Sequence, residues 1–193
     1  MGSPQSKFGS HRPSAVIAWG SSTGYTEEVA AGLHQRLRHR VDAVVDIADI
    51  NIPDLEAFDV LILGVPTWHV GELQDDWDYQ FEEISKLDLR GKVVALFGCG
   101  DADGYPLSFQ DALGIMWQQL ETQGATLIGE WPREGYRFLE SQALTEDGLR
   151  FVGLAIDEHS QCELTEQRLD RWAAQVEAEL ALWSRQHWVR LAG

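Results

Sequence analysis

Positive charge is what this chain has least of: 15 Lys and Arg stand against 31 Asp and Glu in 193 residues, a formal net charge of -16. Such a surface repels a phosphodiester backbone, which excludes nucleic acid as a partner class and favours basic protein surfaces, unless the acidity serves solubility alone. Cysteine is scarce too. Cys99 and Cys162 form neither a Cys-x-x-Cys pair nor a disulfide framework, a pattern that fits a reducing cytoplasm. No apolar run approaches the ~20 residues of a bilayer span, so no membrane insertion is expected. The six histidines are scattered without metal-ligand spacing, and no metal site is expected. The first residues lack the apolar stretch of a secretory signal. Residues 1–13 are read as a disordered or expression-derived extension, 14–184 as one domain and 185–193 as a C-terminal tail.

Two phosphate-binding signatures are missing as well. In Gly20-Ser21-Ser22-Thr23-Gly24-Tyr25-Thr26 three residues separate the glycines and Tyr25 follows, whereas a Walker turn needs four and then a Lys. Gly-x-Gly-x-x-Gly cannot be placed on this turn either. What the turn does hold is four hydroxyls, from Ser21, Ser22, Thr23 and Thr26, between an apolar run and the start of a helical pattern. Neutral donors and a helix N-terminus suit a phosphate monoester. The plainer reading is a strand-to-helix turn whose Ser and Thr act as N-caps.

The rest of the chain alternates strand and helix patterns. Val29, Ala30, Leu33 and Leu37 recur at helical spacing, with His34, Arg36, Arg38 and His39 on the opposite face. Val41 to Ile47 is a second strand candidate, weakened by Asp42 and Asp46. Phe58 to Gly64 and Lys92 to Gly98 are near-continuous apolar runs, as central parallel strands show when both faces are covered. Each is followed by a loop and a helix, with Leu73, Trp77, Phe81 and Ile84 on one face of the first helix. The second shows Phe109, Leu113, Met116, Trp117 and Leu120. Ala125 to Trp131 is a fifth strand, and a polar stretch from Pro132 to Gly148 reads as an insertion before Leu149 to Ile156 turns strand-like again. Thr165 opens a last helix carrying Leu169, Trp172, Ala173, Val176, Leu180 and Trp183 on one face. The pattern predicts an α/β doubly wound domain, with ligands at the carboxyl ends of its strands.

Two of those strand-end loops carry aromatics: Trp68 in Pro-Thr-Trp-His-Val-Gly and Tyr105 in Gly-Asp-Ala-Asp-Gly-Tyr. Together they can clamp a flat ring, worth about 0.5 to 1.5 kcal/mol per aromatic pair beyond area burial. Either alone reads equally well as packing. Asp101 with Asp103, and Cys99 with a His, lack a nucleophile-base signature, so no catalytic set is assigned.

At this point the chain resembles the long-chain flavodoxins from about Ser14 to about Trp183. The resemblance is carried by Gly20-Ser-Ser-Thr-Gly-Tyr-Thr26, Gly64-Val-Pro-Thr-Trp-His-Val-Gly-Glu-Leu-Gln-Asp-Asp-Trp77, Gly98-Cys-Gly-Asp101 with Gly104-Tyr105, Trp131-Pro to Gly135-Tyr-Arg-Phe138, and Phe151-Val-Gly-Leu-Ala-Ile-Asp157. It implies a flavodoxin-like five-stranded parallel sheet of order 2-1-3-4-5, a long-chain insertion in the fifth strand, and FMN as cofactor. By the same resemblance Ser21, Ser22, Thr23, Gly24, Tyr25 and Thr26 hold the FMN phosphate. Trp68 and Tyr105 flank the isoalloxazine, Asp101 accepts from the flavin N3–H, and backbone groups of Cys99 and Gly100 reach the pyrimidine edge. Thr67 lies near the ribityl chain and Ser108 makes a polar contact. His69, Val70 and Gly71 form the turn whose 69–70 peptide can reorient towards the flavin N5.

Tyr25, His69 and Cys99 depart from the common family pattern, and His69 is also readable as an idle loop residue. The function implied is a low-potential one-electron carrier, not an enzyme, that takes electrons from a basic-surfaced flavodoxin reductase and passes them to acceptor enzymes. The contacts are transient, the protein monomeric and cytoplasmic. The alternative on the same fold is an FMN-dependent NAD(P)H or quinone reductase.

Overall fold

A computed structural model of the chain describes residues 12–191. The first apolar run forms β1 (Ala15–Trp19), and the hydroxyl-rich turn leads into α1 (Tyr25–Leu37), whose Val29, Ala30, Leu33 and Leu37 are all buried. The weak second candidate condenses to β2 (Ala43–Asp46), and a 3-10 turn (Ile52–Ala57) leads to β3 (Val60–Gly64). Two short strands, β4 (Thr67–Trp68) and β5 (Glu72–Leu73), make a hairpin ahead of α2 (Asp75–Ile84). Next come β6 (Val93–Cys99), α3 (Asp111–Thr122), β7 (Thr126–Ile128), β8 (Trp131–Pro132), β9 (Arg150–Phe151), β10 (Gly153–Ile156) and α4 (Thr165–Leu191).

The main sheet is parallel and runs β2-β1-β3-β6, with its fifth position shared by two pieces. Residues 126–128 of β7 pair with Val93 to Ala95, and residues 153–156 of β10 continue beside Leu96 to Cys99. This is the flavodoxin-like order 2-1-3-4-5 with the fifth strand interrupted. Between the halves, β8 and β9 pair antiparallel. The chain re-enters at Gly153, where a Cβ would stand 2.3 Å from the Leu96 carbonyl oxygen, so no side chain fits.

The crossovers from β1 outward to β2 and from β3 outward to β6 run in opposite directions. Right-handed connections therefore put α1 and α2 on opposite faces. α4 packs beside α1, where Arg36 pairs with Glu166 at 2.9 Å and Asp170 at 2.7 Å. On the other face Gln123, just after α3, donates to the carbonyls of Ile84 and Leu87. Trp77 and Trp172 are fully buried, and each indole N–H finds a strand-end carbonyl: Gly64 at 2.8 Å and Gly129 at 2.7 Å. Burying an indole requires that partner.

Some helical stripes begin earlier in the sequence than the helices do. Leu73 lies in β5 opposite Thr67, because the hairpin claims it before α2 begins. Phe109 precedes α3, which starts after Gln110 at a left-handed φ of 64°. Arg36, expected on a wet face, is tied to α4. At the N-terminus, residues 1–11 of the expected extension lie outside the described residues, while Arg12 donates to the carbonyls of His39 and Arg40 and pairs with Asp42. At the other end the last helix runs on to Leu191, and 192–193 lie outside the described residues.

Close strand-end packing predicts a specific liability. A Cβ on Gly98 would stand 2.4 Å from the backbone oxygen of Val65, an atom that cannot swing aside. Gly98→Ala is expected to cost at least about 2 kcal/mol, seen as a lower urea midpoint; an unchanged midpoint would mean the two strands separate freely there.

Candidate functional site

Parallel strands bring their carboxyl ends to one edge, and four loops from that edge enclose a cavity of about 450 Å³. The turn after β1 gives Ser21, Ser22, Thr23, Tyr25 and Thr26, and the turn after β3 gives Pro66, Thr67, Trp68 and His69. The loop after β6 gives Cys99, Gly100, Asp101, Tyr105, Ser108, Phe109 and Gln110, and the loop after β10 gives Glu158 and His159.

The first turn is preorganised. Gly24 takes a φ of 92°, and its N–H donates to Ser21 Oγ at 3.0 Å while its carbonyl accepts from Glu28 at 2.9 Å. A helix start leaves its first N–H groups without intrahelical partners, so the amides of the Tyr25 turn and the hydroxyls around it form a donor set for an anion. Thr26 is buried beside the Cys99 thiol. Among the described residues the cavity wall carries Asp101 and Glu158 but neither Lys nor Arg.

In the second turn, Gly71 donates to the Trp68 carbonyl at 3.1 Å, closing a hairpin that places His69 at a φ of 45°. That left-handed conformation is uncommon outside glycine, and His, like Asn and Asp, adopts it more readily than most residues. The Trp68 and His69 rings meet edge-on, with centroids 5.9 Å apart at 68°. Thr67 Oγ1 accepts from the Ala112 N–H at 3.2 Å, which ties the hairpin to the start of α3 and leaves its own proton to donate.

The third loop hangs from β10. Gly100 N–H and Gln110 Nε2 both donate to the Ile156 carbonyl, at 2.9 and 3.0 Å. Asp101 Oδ1 accepts from the Gly104 N–H at 2.7 Å and its carbonyl from Tyr105 at 3.0 Å, so its side chain shapes its own turn and has one oxygen already engaged. Tyr105 is half exposed, as a ring at a cavity mouth is.

Of the sixteen residues singled out from sequence, Gly24, Val70 and Gly71 are not in the cavity wall. Gly24 turns its backbone into the helix start. Val70 is 75% exposed at the hairpin tip, and Gly71 sits behind it where a Cβ would stand 2.8 Å from Asp111 Oδ2. Sequence reasoning missed Pro66, Phe109, Gln110, Glu158 and His159. The strand-end rule that selected three loops applies equally to β10, and following it one strand further would have found Glu158 and His159. Their loop is held by Asp157, fully buried, which accepts from Ala102 N, His159 N, Ser160 N and Ser160 Oγ at 2.6 to 3.2 Å. One carboxylate thus clamps the third loop to the fourth.

A family model described as Flavodoxin matches residues 17–172. Flavodoxin 1 of Salmonella typhimurium is 49% identical over 166 residues, covering 86% of this chain and 94% of its own. A flavodoxin of Synechococcus elongatus is 42% identical over 169 residues, covering 86% and 97%. Among solved structures, Fusobacterium nucleatum flavodoxin bound to flavin mononucleotide superposes with a TM-score of 0.79 at 27% identity, covering 86% of this chain and 98% of that one. Flavodoxin 1 from Bacillus cereus gives 0.64 at 28%, covering 85% and 97%.

The site's ionisable groups set an alkaline limit. Burial pushes the Cys99 thiol from an ordinary value of 9.0 up to about 12 against the opposing Thr26 hydroxyl. Burial also pushes Tyr136 from 10.0 to about 12, opposed by Arg168 above its ring. Both folded values are raised, so the neutral forms stabilise the fold fully below about pH 9, and that stability is lost as pH climbs towards 12. The urea midpoint should fall from about pH 9 upward, less steeply in Cys99→Ala. At neutral pH a thiol reagent should modify exposed Cys162 quickly and Cys99 only on unfolding; two fast thiols would contradict the burial.

Proposed function

The chain belongs to the flavodoxin family, and from that premise we propose how its own residues hold FMN. FMN is the cofactor, and the protein is a low-potential one-electron carrier rather than an enzyme. The observation that carries the reading is a single cavity walled by Trp68, Tyr105 and the hydroxyl-rich turn. Its volume lies in the range of small-molecule pockets, about 300 to 1,000 Å³. When bound, FMN supplies the redox chemistry and the protein supplies grip, orientation and electrostatics.

On this reading Ser21, Ser22, Thr23 and Thr26, with the amides of Gly24 and Tyr25, take the phosphate by neutral donors and the α1 dipole. Trp68 and Tyr105 cover the ring. Backbone groups of Cys99 and Gly100 meet its pyrimidine edge, and Asp101, with one oxygen engaged by Gly104, offers the other to N3–H. Thr67 uses its remaining proton towards the ribityl chain, Ser108 adds a polar contact, and the 69–70 peptide with Gly71 behind it borders N5. Asp101 and Glu158, in a wall that has no Lys or Arg among the described residues, make added negative charge on the ring costly, which lowers the potential.

The acidic surface favours transient contact with a basic reductase and basic acceptor enzymes, with the carrier itself a monomer in the cytoplasm. No helix among the described residues is long and apolar enough to cross a membrane.

The purified protein should bind one FMN, turn yellow and be reduced in two resolved one-electron steps, without oxidising NAD(P)H unaided. A colourless protein that ignores added FMN would overturn the reading, and unaided NAD(P)H turnover would move it to the reductase class. Trp68→Ala should weaken FMN at least about tenfold by fluorescence titration, roughly the worth of one stacked face with its buried area. Reduction by a basic reductase should slow as salt rises past about 0.15 M, where screening acts within roughly 8 Å.

A further inference from the structure

Gln74 is an unusual side chain in this fold: an amide only 2% exposed, between the aromatic-bearing hairpin and α2. Its Nε2 donates to Asp76 Oδ2 at 2.6 Å and to Ser22 Oγ at 3.3 Å, using both of its N–H bonds. Its Oε1 is buried with no partner. Exchanging the amide's oxygen and nitrogen would press a carbonyl oxygen against the Asp76 carboxylate, acceptor on acceptor, so Asp76 fixes which way the amide faces. Gly20 makes the arrangement possible, because a Cβ there would stand 2.5 Å from Oε1 and 2.7 Å from the Trp77 ring.

A hydroxyl that accepts from an amide N–H has its proton left to donate elsewhere. Ser22 is exposed and lines the cavity. We propose that Asp76, Gln74 and Ser22 form a relay in which Gln74 acts as a positioning residue. It holds Ser22 Oγ as an acceptor on its outer side, so that the Ser22 proton points into the cavity and donates to a phosphate monoester. The relay gives this chain part of its preference for FMN over riboflavin, which differs only in lacking the phosphate. The principle is that of outer ligand shells, where a carboxylate orients the group that orients the ligand. The proposal rests on the phosphate cradle set out above.

The test is a set of fluorescence titrations of the apoprotein with FMN and, separately, riboflavin. Ser22→Ala should lower the FMN-over-riboflavin preference about tenfold, the scale of one hydrogen bond to a charged group. Gln74→Met should lower it comparably, and the double variant should fall no further, because both substitutions remove the same interaction. Asp76→Asn, at a half-exposed position whose loss leaves the core intact, should also lower the preference by freeing the amide to turn over.

If Ser22→Ala keeps the full preference, Ser22 does not touch the phosphate and the relay is wrong, whereas the cradle falls only if the unsubstituted protein binds FMN no more tightly than riboflavin. If Ser22→Ala lowers it while Gln74→Met does not, the cradle stands and the relay is wrong. Equal losses for both ligands in Gln74→Met would show a merely structural role and overturn the proposal. Should that variant fail to fold, a full preference retained in Asp76→Asn overturns it instead.

Discussion

Two strand-end carbonyls carry the loops that make this cavity. The Gly64 oxygen accepts from the Gly20 N–H at 3.2 Å and the Trp77 indole at 2.8 Å, which fixes the hydroxyl-rich turn against α2. The Ile156 oxygen accepts from Gly100 N–H and Gln110 Nε2, which fixes the β6 loop. A carbonyl has two lone pairs and a backbone N–H takes only one, so the oxygen at a strand end has the second free for a side-chain N–H. The sheet edge therefore offers its own acceptors as anchor points, and the loops are as well placed as the strands beneath them. Glycines at 20, 98 and 100 stand where side chains would block these approaches.

On charge alone, a chain with 31 acidic and 15 basic side chains is a poor host for a phosphate. Magnitudes resolve the conflict. Hydrogen bonds to a charged group contribute about 1.5 to 3 kcal/mol each, and a helix N-terminus adds about 0.3 to 1 kcal/mol. Several such contacts outweigh exposed carboxylates, whose field is screened beyond roughly 8 Å at physiological salt. Glu27 and Glu28 in the first turn of α1 are exposed, so solvent weakens their field at the donor set. Neutral donors with precise placement let the turn stay receptive to an anion on an acidic chain.

The alternation of apolar runs made the strands, their parallel sheet and three of the four cavity loops legible, because buried parallel strands and core-facing helices leave periods of their own; the order of the strands came from the family resemblance alone. Val60 to Gly64 and Val93 to Cys99 are apolar throughout for that reason. Gln74, Gln110 and Asp157 left no such mark. Each is a polar residue whose burial depends on a partner far away in sequence: Ser22, Ile156 and Ala102 respectively. Local pattern cannot distinguish them from surface residues. Leu73 and Phe109 were misplaced onto helices for a related cause, since tertiary pairing claims both before the helix starts.

The insertion reads in sequence as a polar detour, yet its aromatics back the cavity wall from behind Phe109. Phe109 lines the cavity and stacks with Tyr136, Phe138 and Phe151 at centroid distances of 5.5 to 5.8 Å. Tyr136 donates to the Ala155 carbonyl at 2.5 Å and accepts from the Trp131 indole at 2.8 Å, while Gln142 bonds both oxygens of Asp111 at the start of α3. Tyr136 and Phe138 of this stretch pack on Phe109, while Arg133, Glu134, Arg137 and Leu139 are exposed. Splitting the fifth strand thus costs a few ladder bonds and gains an aromatic cluster behind the β6 loop. The cluster braces from outside the same loop that the Ile156 carbonyl holds from below. A loop held on two sides keeps Tyr105 at the cavity mouth without a side-chain bond of its own being needed, which is why a half-exposed ring can serve as a fixed wall.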